Sequence, residues 1–411
     1  MQRFSPLPSW ERSSTLCEGE GDKAASPIPL SLYIHFPWCV QKCPYCDFNS
    51  HAIKNSGENN QIPEDLYIQA LIQDLDQDLN SYFPDQKPIL TSIFLGGGTP
   101  SLFSASALNK LLNHIQTKFN FSPFIEITLE ANPGTIERGK FKTYFDIGIN
   151  RISLGVQSFN QKHLKKLGRI HSDLEACLAI EEIHQAGFKT FNLDLMHGLP
   201  NQTPEESEQD LRTALSFNPP HLSWYQLTLE PNTLFHAKPP SLPSDETLGL
   251  IEDQGFELLK QAGLNRYEIS AYAKQNHQSL HNKNYWEFGD YLGIGAGAHG
   301  KMTNINLNKI LRTSKKKNPK DYLNAQNLNT FIQDSQEILS PDRPFEFLMN
   351  ALRLTQGVEE NLFEQRTLIP LNLISEKLKQ ARDLNLILPD RLAASPLGLR
   401  YLNSVLEKFL G

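Results

Sequence analysis

The sequence predicts an α/β protein, a partial parallel (β/α) barrel followed by a mostly helical, winged-helix-like C-terminal module. Two observations carry this. Between residues 31 and about 230, apolar strand, loop and amphipathic helix alternate at least five times, the order that builds parallel strands joined by crossover helices. Beyond residue 336, three stretches with helical spacing follow one another around one short extended run, "LILPD".

Residues 1–30 are rich in Ser, Pro, Gly and charge without apolar periodicity, which predicts a disordered extension. "SLYIHF" reads as the first strand and Glu64 to Phe83 as the first long helix. The strand "LTSIFLGGGTP" ends in glycines, and "ASALNKLLNHIQTKF" follows as a helix. "FIEITLEANPG" and "RISLGVQSF" are strands, "LEACLAIEEIHQAGF" a helix and "TFNLDLMHGLP" a strand. After the helical "ESEQDLRTALSF", "HLSWYQLTLEP" supplies one more strand. The expected domains are a barrel over 31–270, an extension and connecting segment over 271–336, and a helical module over 337–411. The last helix of that module starts at Ser395 and Pro396.

Charge and cysteine usage narrow the partners. The net charge is -7, and the C-terminal module carries nine Lys and Arg against ten Asp and Glu, so nucleic acid is not an expected partner. The basic run Arg312 to Lys320 could touch an anion. There is no long uninterrupted apolar stretch and no secretory pattern at the N-terminus, which predicts a cytoplasmic protein. Of five cysteines, Cys17 lies in the extension and Cys177 in an apolar helix, an arrangement that does not read as a disulfide framework.

The other three, Cys39, Cys43 and Cys46, fall within eight residues, with Pro44 between them limiting the shapes of the loop. Structural zinc takes four ligands, and no second cysteine pair follows; a set completed by His35 or His51 stays open as an alternative. An iron–sulfur cubane is normally held by four thiolates. Held by three, it keeps one iron open to a small molecule. In a parallel barrel the loops after the strands converge, so these cysteines should share one cavity with Gly96 to Thr99, Glu130, Asn132, Gln157, Asp194 and His197. The glycines are expected to let backbone N–H groups reach a ligand carboxylate. Glu130 and Asp194 could accept from an ammonium or ribose, while Gln157 and Arg169 could bind polar edges.

With Tyr45 just before the last cysteine, this spacing resembles the radical S-adenosylmethionine (SAM) signature. That resemblance implies a [4Fe–4S] cluster whose open iron chelates SAM, and cleavage of SAM to a deoxyadenosyl radical. The motifs "LYIHFPWC", "GGGTPS", "LEANPG", "RISLGVQSFN", "NLDLMHGLPNQT" and "LGIGAGAH" are similar, in order and spacing, to the oxygen-independent coproporphyrinogen III oxidase family over residues 31 to about 300. Carried over by motif, the SAM contacts fall on Tyr33, Tyr45, Gly97, Gly98, Thr99, Glu130, Gln157, Arg169 and Asp194.

Two departures separate the chain from the oxidases it resembles. Phe48 stands where they have a fourth cysteine, and the segment before "YIHF" is shorter than theirs. Conversely, His281, Asn282, Tyr285 and Trp286 form a His-Asn-x-x-Tyr-Trp pattern similar to the heme-chaperone, non-oxidase branch of the family. That branch implies heme as ligand, with His281 as its candidate, and a heme-acceptor protein as partner. A respiratory or membrane-associated acceptor and a cluster-dependent dimer are compatible with it. From residue types alone, a hydrogen-bonded histidine in an aromatic loop is the better description of His281, and only the family resemblance points it to heme. His299 is a rival. Decarboxylation of coproporphyrinogen III and a zinc-stabilised binding module are the alternative functions.

Overall fold

The computed structural model describes residues 28–53, 61–134, 139–325 and 330–410. Most of the expected N-terminal extension therefore lies outside the described residues. The strands, in chain order, are β1 (Leu30–Phe36), β2 (Trp38–Cys39), β3 (His51–Ala52), β4 (Ile89–Gly97), β5 (Asn120–Ala131), β6 (Arg151–Gln157), β7 (Thr190–His197), β8 (His221–Gln226), β9 (Asn265–Glu268), β10 (Ala271–Ala273), β11 (Asp290–Ile294), β12 (His299–Asn304), β13 (Lys309–Lys315) and β14 (Ile332–Glu337). All but the short pair β2 and β3 join one sheet, in the order β14-β13-β12-β11-β1-β4-β5-β6-β7-β8-β10-β9.

From β11 to β8 the pairing is parallel, and the flanks β10-β9 and β12-β13-β14 are antiparallel. The expected barrel and its crossover helices are thus present. The expected boundary at residue 270 falls between two strands of one continuous sheet, because β11 pairs with β1 from the far end of the barrel sequence. The meander β11 to β14 and the helices Asp245–Gln261 and Glu360–Thr367 are elements that the sequence reading leaves unassigned.

Buried parallel strands usually read as continuous apolar runs, but here polar residues take alternate positions. Leu32, Ile34 and Phe36, then Ile93 and Leu95, Ile127 and Leu129, and Leu193 and Leu195 pack into the main core with the buried sides of helices such as Glu64–Tyr82 and Ala105–Lys118. The alternate positions put Ser31, Tyr33, Ser92, Glu126, Glu130, Ser153, Asp194 and Ser223 on the opposite face. The sheet is therefore greasy outside and polar inside. The C-terminal module builds a second core around Phe347, Leu348, Phe363 and Leu378, which also takes in Tyr267 and Ile310 from the sheet and Phe288 from the turn before β11.

A buried ionic knot ties the meander to the first helix. Lys315 reaches Asp74 at 2.6 Å and Asp78 at 2.7 Å, and Tyr322 donates to the second oxygen of Asp74 at 2.7 Å. Tyr322→Phe leaves that carboxylate short of a donor in the core and is expected to cost roughly 1–3 kcal/mol, readable as a lower urea midpoint with unchanged slope.

Candidate functional site

The cysteine loop leaves β1 and is closed at its base by pairing of β2 with β3, Trp38 against His51 and Cys39 against Ala52. The Cys46 N–H donates to the Cys43 carbonyl at 3.2 Å, and Phe235 N–H to the Pro44 carbonyl at 3.0 Å. The three thiols are free and half-buried. They line a cavity of about 430 Å³ together with Tyr45, Gly97, Gly98, Thr99, Glu130, Asn132, Gln157, Arg169 and Asp194. Convergence at the strand ends is thus what the sequence led one to expect, except for His197, which does not line this cavity and packs its buried ring against Trp224 at 4.2 Å. Tyr33 is different: it lines a neighbouring cavity, with its hydroxyl on His35 Nδ1 at 3.0 Å.

The role expected of the glycines needs correction. Gly97 N–H donates to Glu130 Oε2 at 2.9 Å, and Gly98 and Thr99 donate to the carbonyls of Phe36 and Trp38 at 2.7 and 2.8 Å. None of these three N–H groups is free for a ligand. A Cβ on Gly98 would lie 2.6 Å from the Trp38 carbonyl oxygen, and Gly97, at φ +107°, has the His35 ring 2.4 Å from where its Cβ would be. Glycine is required here so that the end of β4 can press against the cysteine loop.

The polar groups that remain are poised around the thiols. Thr99 Oγ1 donates to Cys39 Sγ at 3.5 Å. The half-buried Arg169 guanidinium donates to Asn132 Oδ1 at 2.6 Å, to the Gly155 carbonyl at 2.7 Å and to Cys43 Sγ at 3.7 Å, while its buried Nε has no partner among the described residues. Gln157 holds φ +70°, a left-handed conformation rare outside glycine, and accepts from Tyr225 OH at 2.8 Å. Burial, with the nearby Asp194 charge, pushes the Glu130 carboxyl up to about 8. Burial raises Asp194 as well, against hydrogen bonds from Asn192 and Ser153. Two half-buried carboxyls that take only neutral donors among the described residues are suited to a cationic ligand.

The donor set fits a cluster with SAM. Three soft thiolates would hold the irons, Glu130 and Asp194 would meet the amino group or ribose, and Arg169 would neutralise the cluster side. When bound and reduced, such a cluster supplies a single electron to the SAM sulfonium. Of the two histidines considered for zinc, His35 has both ring nitrogens committed, to Tyr33 OH and to the Asn49 carbonyl at 2.9 Å. His51 places Nε2 on Asn49 Oδ1 at 3.2 Å. Tyr225, Ser153 and Ser223 are site-lining residues that the sequence reading missed; their signal was the polar alternation along the strands.

His281 takes the hydrogen-bonded of its two readings. It sits on a short helix, Leu280–Trp286, whose first turn is capped by the Ser279 side chain and by Glu126, which accepts from the N–H groups of Leu280 and His281. Its ring is buried, with Nδ1 3.0 Å from Ser92 Oγ and Nε2 3.0 Å from Tyr285 OH. Ser92 gives its only proton to Ser31, so Nδ1–H donates to Ser92 and Nε2 accepts from Tyr285. Burial holds the imidazole down at about 3, hence neutral. Neither nitrogen is available to an iron. The helix presents Trp286 instead, which lines both the cysteine cavity and its neighbour, as Phe48 does.

A partial parallel barrel whose C-terminal face gathers a three-cysteine loop, half-buried carboxyls and an arginine defines the radical SAM class. The Radical SAM superfamily profile accordingly matches residues 33–214, and the HemN C-terminal domain matches residues 338–401. Within that class the chain belongs to the heme chaperone HemW family. It is 51% identical over 385 residues to heme chaperone HemW of Haemophilus influenzae, covering 93% of this chain and 98% of that protein. Identity is 47% over 384 residues to heme chaperone HemW of Escherichia coli, with the same coverages. To that of Bacillus subtilis it is 34% over 345 residues, 82% of this chain and 86% of the relative. The structure of coproporphyrinogen III oxidase (HemN) from Escherichia coli superposes with a TM-score of 0.77 over 94% of this chain and 91% of that one, at 22% identity. That match establishes the fold. Among the described residues, no helix is long and apolar enough to cross a membrane.

Proposed function

We propose that the chain is a heme-carrying chaperone that retains a [4Fe–4S] cluster on Cys39, Cys43 and Cys46, binds SAM beside it, and passes heme to an acceptor protein. One observation carries the reading beyond family likeness: Phe48, where the oxidases resembled by this chain have a fourth cysteine, is 61% exposed and stands between the cysteine cavity and an aromatic-walled neighbour. A large apolar ring left in water at such a place is suited to stacking on a flat apolar ligand. Reduced thiols fit a cytoplasmic site of action. The acceptor, respiratory or membrane-associated, and a cluster-dependent dimer belong to the same proposal.

Anaerobic titration of the cluster-loaded protein, first with SAM and then with heme, tests it. The expected result is near-stoichiometric heme uptake, and no vinyl product from coproporphyrinogen III in the presence of reductant and SAM. Absence of heme uptake, or formation of that product, would overturn the proposal.

A further inference from the structure

The neighbouring cavity, about 700 Å³, opens between the outer side of the cysteine loop and one face of the meander, and lies within the size range of small-molecule sites, ~300–1,000 Å³. Phe48, Tyr285, Trp286 and Tyr291 supply flat apolar wall. We infer that this cavity seats heme, with His299 rather than His281 as the axial ligand and with Arg312 and Lys317 on the propionates. The inference rests on the heme-carrying reading above and assigns its site.

Three histidines line the cavity: His35, His51 and His299. His35 is committed through both ring nitrogens and His51 through one. His299 is exposed at the start of β12, and among the described residues no hydrogen bond reaches its ring. Register explains its direction. Residues directly opposite in an antiparallel ladder share a face, and Tyr291 pairs with Lys301, Lys301 with Arg312 and His299 with Ser314. His299, Tyr291 and Arg312 therefore stand on the same side of the meander, toward the cavity.

The cations sort in the same way. Lys301 is buried, paired with Asp290 at 2.8 Å and lying over the Phe288 ring at 4.4 Å, so it is spent within the protein. Arg312 uses one nitrogen on Glu346 at 2.5 Å and keeps a buried Nε without partner among the described residues. Lys317 is exposed at the rim. Arginine on a carboxylate is the stronger of the two contacts. Trp286 Nε1, buried and also unpartnered among the described residues, offers a further donor at the wall. A porphyrin here would have an imidazole on its metal, aromatic rings on its plane and guanidinium on its acids, while only Phe48, Ser50 and Trp286 are shared with the cysteine cavity.

The test titrates ferric heme into the full chain and into folded variants, reading affinity, the Soret band and the spin state by electron paramagnetic resonance. His299→Ala is expected to weaken heme at least about tenfold, ~1.4 kcal/mol, and to lose the histidine-ligated signature, with added imidazole restoring it. His299→Met should give a thioether-ligated spectrum instead. Arg312→Ala should weaken heme several-fold while leaving heme dimethyl ester, which has no free acids, unaffected. His281→Ala should leave the ligation signature in place. Unchanged Soret position and affinity in His299→Ala, or loss of the signature in folded His281→Ala alone, overturns the inference while the chaperone reading stands. A wild-type chain that takes up no heme overturns both.

Discussion

Replacing any one of Cys39, Cys43 or Cys46 by serine is expected to take the iron content of anaerobically reconstituted protein from four per chain to near zero. The charge-transfer absorption of the cluster should vanish with it. The reason lies in the count. With three thiolates from a single loop there is no spare ligand, and a serine hydroxyl is neither soft enough nor acidic enough to replace one. The half-buried loop already works against ionisation: burial pushes the Cys39 thiol up to about 11, and raises Cys46 in the same direction. Thiols with raised pKa values are protonated at neutral pH, so loading must release protons and should become more complete from neutral to mildly alkaline conditions. A serine variant that still holds four irons would mean that another side chain completes the site, and the open-iron arrangement would be lost with it.

Glu130→Gln is expected to lower SAM affinity by about ten- to a hundredfold, the worth of a hydrogen bond to a charged group, roughly 1.5–3 kcal/mol. The same change should stabilise the ligand-free protein. The Glu130 carboxyl titrates at about 8 in the folded chain against its ordinary value of 4.5. Below 4.5 both folded and unfolded chains are protonated and nothing is lost. As pH rises from there toward 8 the unfolded chain gives up its proton first, so Glu130 withdraws stability across that window. Glutamine cannot ionise. The variant should therefore match the wild type in acid and exceed it at pH 8 by on the order of 4 kcal/mol, measured by urea unfolding. For the same reason, binding of a cation at neutral pH must expel the proton from Glu130. Calorimetry in two buffers of different ionisation enthalpy should show that release in the wild type and lose it in the variant. Equal SAM affinity in both proteins would remove Glu130 from the site.

These two changes draw on different parts of what could be read in advance. The cysteine spacing is local, so the loop was legible directly, and strand-end residues could be gathered because parallel topology brings them to one face. Glu130, Gln157, Arg169 and Asp194 duly surround one cavity. Glycines 97 and 98 illustrate the limit: their flexibility was visible, but its use was not, because the groups crowding them are His35, Phe36 and Trp38 from another strand and its loop. Tyr33 lines the neighbouring cavity, with its hydroxyl on His35, a contact that spacing along the chain does not reveal.

The amino-acid order by itself determined the strand and helix succession of the barrel up to about residue 230 and the three-thiol loop. These follow from spacing along the chain. Only the tertiary structure decided which histidine is spent and which is free. His281 is consumed by Ser92 and Tyr285 on different elements, whereas His299 is left open by a strand register set when β11 docks against β1, some 260 residues earlier. A side chain's availability depends on its hydrogen-bond partners, and those partners are distant in sequence.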